Sequence, residues 1–289
     1  MQHWHPRLIG ETVKNQSLWV FLAAMAISSA PLNGQEAVDP DEAARQAELA
    51  KQSQNPVANM ISVPLEFWYN DGEDGHAFTA IAKPVIPASL GKINLINRFI
   101  VPFVSVDGAM EPPDLTIDGP VVNASGLANI TYQGFLSPAQ PGMLIWGLGA
   151  ALELPTATDD QLGADRWSGG PSALLLAMPG DWVVAVLVQN VWDFAGTGDE
   201  TVNRFTLQPI ASLTLDKGWY LTSAPVITAD WDAEAENRWT VPIGAGAGKL
   251  HRFGNQPVDF KLVYYYNVEK PTIGADWSLL FSVKLLFPQ

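Results

Sequence analysis

The chain has 289 residues with 30 acidic and 16 basic side chains, and its formal net charge of −14 argues against nucleic acid as a partner, because phosphate binding needs a cationic surface. It contains no cysteine, which excludes disulfides, thiolate metal sites and a cysteine nucleophile. Only 16% of residues are charged, while 24 Gly and 22 Pro punctuate many turns and 11 Trp, 12 Phe and 6 Tyr supply large amphipathic side chains.

The first segment reads as a secretory signal. Arg7 and Lys14 precede an apolar run over 18–27, followed by Ser28, Ser29 and Ala30. Pro31 hinders cleavage after Ala30, so cleavage is expected near Gly34, with 1–34 as the signal peptide. The run is shorter than the roughly 17 residues a membrane-spanning helix needs, which weighs against a permanent anchor. Residues 35–55 form a leader in which 39–53, DPDEAARQAELAKQS, combine helix formers, an acidic start and Lys51 near the end, the polarity that suits the helix dipole. A short periplasmic helix or plug and a disordered polar leader both fit. Asn55-Pro56 ends any helix there.

Beyond residue 34 no stretch approaches about 18 uninterrupted apolar residues, and the longest strongly apolar one is 182–188. If a membrane is the solvent, closed β-structure remains as the way to satisfy every backbone polar group. From Val57 onward, β-rich segments alternate with turn clusters at the spacing of barrel strands. About twelve are expected, near 61–69, 77–88, 92–105, 124–137, 142–155, 166–178, 181–193, 201–215, 218–231, 237–251, 256–268 and 276–287. The last shows the pattern most plainly. Trp277, Leu279, Phe281, Val283, Leu285 and Phe287 share one face, and Ser278, Ser282 and Lys284 the other. Period-two alternation is shared with soluble sandwiches, so the connections carry more weight.

Connections after even-numbered strands are short, whereas those after odd-numbered strands are generally longer and acidic: 71–75, 107–119, 156–165, 193–200, 230–237 and 269–276 hold 19 of the 30 Asp and Glu. Two chemically different ends and an even strand count predict an all-β fold, a transmembrane antiparallel up-and-down β-barrel over 56–289 with a short N-terminal helical segment. The expected setting is the bacterial outer membrane, with acidic loops extracellular and termini periplasmic. Trp68, Tyr69, Trp167, Trp192, Trp231, Trp239, Tyr266 and Trp277 lie near the acidic end and are expected to form an aromatic girdle there.

Several segments, LAKQSQNPVANMISVP (49–64), WGLGAALELPTATDDQLGADRWSGGPSA (146–173), GWYLTSAPVITADW (218–231) and YYNVEKPTIGADW (265–277) among them, resemble a group of bacterial proteins labelled only as transporters, or misleadingly as neuromedin U. That group is similar to outer-membrane proteins named for the meta-pathway of phenol degradation. The resemblance spans nearly all of the mature chain and implies an outer-membrane barrel, but it brings no catalytic motif and no assignable substrate. The chain departs from common barrel practice at its end, where Pro288-Gln289 follow the terminal aromatic Phe287 that assembly machinery often reads.

With the apolar parity toward lipid, Glu66, Lys83, Arg98, Glu153, Arg204, Asp259, Lys261 and Lys284 are candidate lumen-lining residues. Such charges either tune a pore or pair across the barrel and close it. Proline recurs within strands, in KPVIP (83–87), QPI (208–210), APVI (224–227) and VPIG (241–244), and predicts bulges or kinks that admit ligand through the wall or merely add local twist. The acidic loops form a solvated crown or hold divalent cations against lipopolysaccharide. DGEDG and TATDDQLGAD do not fit the calcium-loop pattern, and GAGAGKL (244–250) lacks phosphate-loop spacing. Neither His76 nor His251 has a G-x-S-x-G partner motif, so no enzyme, cofactor or metal site is expected. The expected partners are lipid, lipopolysaccharide, the barrel-assembly machinery and a small solute with an apolar or aromatic body. The rival expectation is a non-conducting barrel that supports surface structure or binds a partner, with an outer-membrane hydrolase as the more distant alternative.

Overall fold

A computed structural model describes residues 40–112, 120–140, 142–197 and 201–288. The expected signal peptide at 1–34 lies outside them.

The first described element is a helix, α1 (Pro40–Ser53), with Lys51 in its last turn. Twelve strand positions follow. They are β1 (Ile61–Asp71), β2 (Gly75–Ala82, continued by Val85–Ser89), β3 (Ile93–Met110), β4 (Ser125–Leu127, continued by Ile130–Pro138), β5 (Leu144–Leu154) and β6 (Arg166–Ala177). The second half comprises β7 (Trp182–Gly196), β8 (Asn203–Thr214), β9 (Trp219–Ser223, continued by Ile227–Asp230), β10 (Trp239–Phe253), β11 (Gln256–Glu269) and β12 (Trp277–Phe287). Each pairs antiparallel with its sequence neighbours, and β1 pairs with β12 from Ile61↔Phe287 to Asp71↔Trp277. That first-to-last pairing closes the sheet and leaves no edge with unpaired backbone groups.

Burial follows the period-two pattern. On β12, Ser278, Leu280, Ser282 and Leu286 are buried inside, while Trp277, Leu279, Phe281, Val283 and Phe287 point outward. The apolar run 182–188 resolves into two faces. Val183, Ala185 and Leu187 are buried, whereas Val184, Val186 and Val188 are 36–45% exposed. Much of the inward parity near the short-turn end is apolar rather than polar: Ile96, Phe135, Ile145, Leu174 and Leu176 pack with Val183 and Leu187 in one cluster. Val57, from the segment after α1, belongs to that same cluster.

Three of the expected strand prolines converge at one level of the wall. Pro209 on β8 faces Pro225 in the break of β9, and Pro242 on β10 lies opposite Val226, by continuation of the flanking registers. The β9–β10 register is the same on both sides of the break, so that ladder is interrupted without a bulge, whereas β10 shifts register against β11 at Val241–Pro242, as expected of VPIG. Because proline lacks an N–H, grouping three of them removes donors from adjacent strands together and leaves few orphans. Side chains close the gap: Ser223 Oγ donates to the Gly244 carbonyl at 2.7 Å and Gln208 Nε2 to the Ala224 carbonyl at 3.3 Å.

Candidate functional site

The C-terminal end of α1 and the residues after it enter the barrel at the short-turn end. Ala50 is fully buried with Met60, Leu250 and Leu286. Lys51 Nζ donates to the carbonyls of Gly180 at 2.6 Å and Met178 at 3.2 Å in the β6–β7 turn. Lys284 Nζ donates to the Ser53 carbonyl at 2.7 Å, and Gln54 Nε2 to Asp259 Oδ2 at 3.2 Å. Of these, Lys284 caps a last carbonyl of the helix, where a cation suits both the dipole and an unsatisfied acceptor, while Lys51 reaches from the helix to the turn. The segment 50–60 is therefore a plug bonded to several strands around the wall.

Next to the plug lies a cavity of about 120 Å³. Ser53, Gln54 and Met60 form its floor, and Glu66, Lys83, Arg98, Lys261 and Lys284 line its charged side. Ile210, Thr222 and Ala224 carry it to the level of the wall interruption. Glu66 and Lys83 form an ion pair at 2.6 Å, with Trp68 Nε1 donating to Glu66 at 3.2 Å. Asp259, 2% exposed, accepts from Tyr220 Oη at 2.8 Å and lies 3.6 Å from Lys284.

The structure thus brings Glu66, Lys83, Arg98, Lys261 and Lys284 to one cavity, with Asp259 beside it. The remaining two sequence candidates sit elsewhere. Glu153 is buried inside β5 and accepts from Asn129 Nδ2 at 3.3 Å. Arg204 pairs with Asp230 at 3.3 Å in a small pocket toward the long-loop end that also contains Glu111. Between these levels the inward face is polar: Asn70 Nδ2, Thr79 Oγ1, Gln133 Oε1, Ser168 Oγ and Ser172 Oγ are buried without a protein partner. At the long-loop end the described part of the β3–β4 connection folds across, with Glu111 N bonding the Ile273 carbonyl at 3.2 Å and Met110 buried against Ala275.

One aromatic expected in the outer girdle belongs to the interior. Trp68 is 6% exposed, bonds Glu66 and stacks on Tyr265 with centroids 5.9 Å apart. The reason is parity: Glu66, Trp68 and Asn70 alternate onto the same inward face of β1. The other seven are not inward. Trp167, Trp192, Trp231 and Tyr266 are 39–51% exposed, Tyr69 packs on Trp277, and Trp239 packs edge-on against Trp231. A second exposed set, Trp146, Trp182, Trp219 and Phe253, lies at the short-turn end and was missed from sequence. The signal was present: Trp182 and Trp219 each open a strand directly after a short turn.

The glycines of 244–250 serve packing. A side chain on Gly248 would meet the Tyr220 ring, and one on Gly244 or Gly246 the backbone of β11. Of the two histidines, His76 lies 3.8 Å from Asp107 at the long-loop end, and His251 packs on Phe253 at 4.7 Å.

The class this architecture defines is the closed, inwardly plugged twelve-stranded β-barrel. Among solved structures, the chain is similar in fold to an outer membrane channel from Pseudomonas putida F1, at TM-score 0.60 and 17% identity over 79% of this chain and 96% of that one. Weaker likenesses are the CymD monoaromatic hydrocarbon channel (TM-score 0.41, 11% identity, 85% and 93% covered) and a bacterial polysaccharide outer membrane secretin (0.37, 12%, 81% and 99%). No protein-family model and no curated protein sequence matches the chain. The sequence segments that resemble the transporter group therefore stand by themselves, and the first likeness bears on fold alone.

Proposed function

We propose that the protein is a bacterial outer-membrane channel for a small solute with an apolar or aromatic body, held closed at rest by the plug 50–60. The carrying observation is the contrast between the two faces of the wall. The outward face is an apolar band with aromatic residues at both ends, the arrangement that suits a bilayer, and the inward face encloses a cavity with charged and apolar sides. The acidic loops face the medium, where they meet lipopolysaccharide, and the short turns and both termini face the periplasm after removal of 1–34.

Uptake of a small uncharged solute into liposomes containing the purified protein tests this reading, with swelling faster than in protein-free vesicles as the expected result. A second reading, a non-conducting barrel that supports surface structure or binds a partner, is favoured by the plug and the inward-folded loop. Liposomes that swell no faster than empty ones would decide for it.

A further inference from the structure

The chain is strongly acidic, yet four of its 16 Lys and Arg line one cavity. Among the described residues, Lys83, Arg98, Lys261 and Lys284 face only two carboxylates there, Glu66 and Asp259. Glu66 is committed to Lys83 at 2.6 Å, and Asp259 is committed to Tyr220, Gln54 and Lys284. Arg98 and Lys261 have no hydrogen bond and no ion pair within 4 Å among the described residues, although Glu66 lies within Coulombic reach of both. Both are partly buried against the cavity, and partly desolvated cations without a matching partner favour an anionic ligand.

We propose that this cavity binds a small organic carboxylate, with Arg98 and Lys261 as the residues that hold its charged end. Guanidinium matches a carboxylate with two parallel hydrogen bonds, and lysine adds a mobile point charge. Ile210 and Ala224 on the wall of β8 and β9, with Met60 on the floor and Val85 beside Arg98, offer apolar surface for the rest of the molecule. At about 120 Å³ the cavity is of the same order as the roughly 150 Å³ cavity that takes benzene, so the ligand is limited to a short chain or a single ring. A phosphate dianion fits less well, because it presents no apolar body to that wall.

This inference rests on the channel reading only for the route by which ligand reaches the cavity. Calorimetric titration of the full chain in detergent, at constant ionic strength, tests it with butyrate and benzoate against butanol and benzyl alcohol. Binding of the carboxylates at about 1 mM or tighter, with none of the alcohols, is expected. Arg98→Gln and Lys261→Gln should each weaken binding by about tenfold or more, while Lys249→Gln, over the Trp219 ring, should leave it unchanged. Heat-modifiable migration of each variant checks that the barrel has formed. If Arg98→Gln does not fold, Arg98→Lys replaces it, and loss of affinity there is the expected result. Equal binding of alcohols and acids, binding of inorganic phosphate in preference to both, or unchanged affinity in folded variants would overturn the proposal. Passage of uncharged solutes into liposomes is read separately, so the site can fail while the channel stands.

Discussion

Lys284, on the last strand of the barrel, holds the carbonyl of Ser53, at the end of the only α-helix among the described residues, with a 2.7 Å hydrogen bond. The contact ties residues 231 positions apart, and with Lys51 on the β6–β7 turn it moors the plug at two separate parts of the rim. Lys51→Ala removes both of its bonds to the Gly180 and Met178 carbonyls without touching the cavity. Because these bonds are partly exposed, their loss should loosen the plug more than it destabilises the barrel. Faster liposome uptake than in the unaltered protein, with the same melting temperature within a few degrees, is the expected outcome.

Gly248 and Tyr220 set a steric limit on the β9–β10 wall. Gly248→Val should cost about 1–3 kcal/mol by overpacking against the ring. Tyr220→Phe keeps the ring but leaves the buried Asp259 short of a donor, at about 1–3 kcal/mol. Tyr220→Ala in the same chain as Gly248→Val should recover part of the first loss. Urea unfolding from lipid vesicles measures all three, and additive losses in the double variant would contradict the packing account.

The outward face is tested where β6 and β7 pair. Leu175 and Val186 lie directly opposite one another, 48% and 36% exposed. Lysine at Val186 should destabilise the barrel in a bilayer by about 2–4 kcal/mol if that level is near the midplane. Lysine at Gln189, on the inward parity, should cost far less. Equal effects would count against the assigned faces.

Charge reversal inside the lumen should change ion selectivity. Arg98→Glu removes a cation from the cavity, and Arg204→Glu puts a third acidic group beside Asp230 and Glu111. Both should move the reversal potential in asymmetric salt toward cation preference, Arg98→Glu the more strongly. A reversal potential that does not move in either variant would place these side chains away from the conducting path.

The twelve strands and their inward and outward parities were legible because period-two alternation and turn chemistry are local. Trp277 to Phe287 already shows both faces without reference to any other segment. Trp68 was misjudged because position near a strand end was weighed above the parity it shares with Glu66. A plug was one reading of the leader, but its contacts were not legible: Ala50, Val57 and Met60 look like ordinary small or apolar residues, and only the closed barrel shows what they pack against. Likewise, the eight candidate charges could be assigned to one face by parity, but their division into a cavity group, Glu153 on β5 and Arg204 toward the long-loop end depends on the three-dimensional level of each strand.

The central claim is that the lumen is a solute route obstructed by the segment following α1, and planar-bilayer recording tests it most directly. The unaltered protein should show low conductance with brief openings, and a chain lacking residues 35–60 should show long, stable openings of larger amplitude. A correctly folded barrel that stays silent in both forms would contradict it.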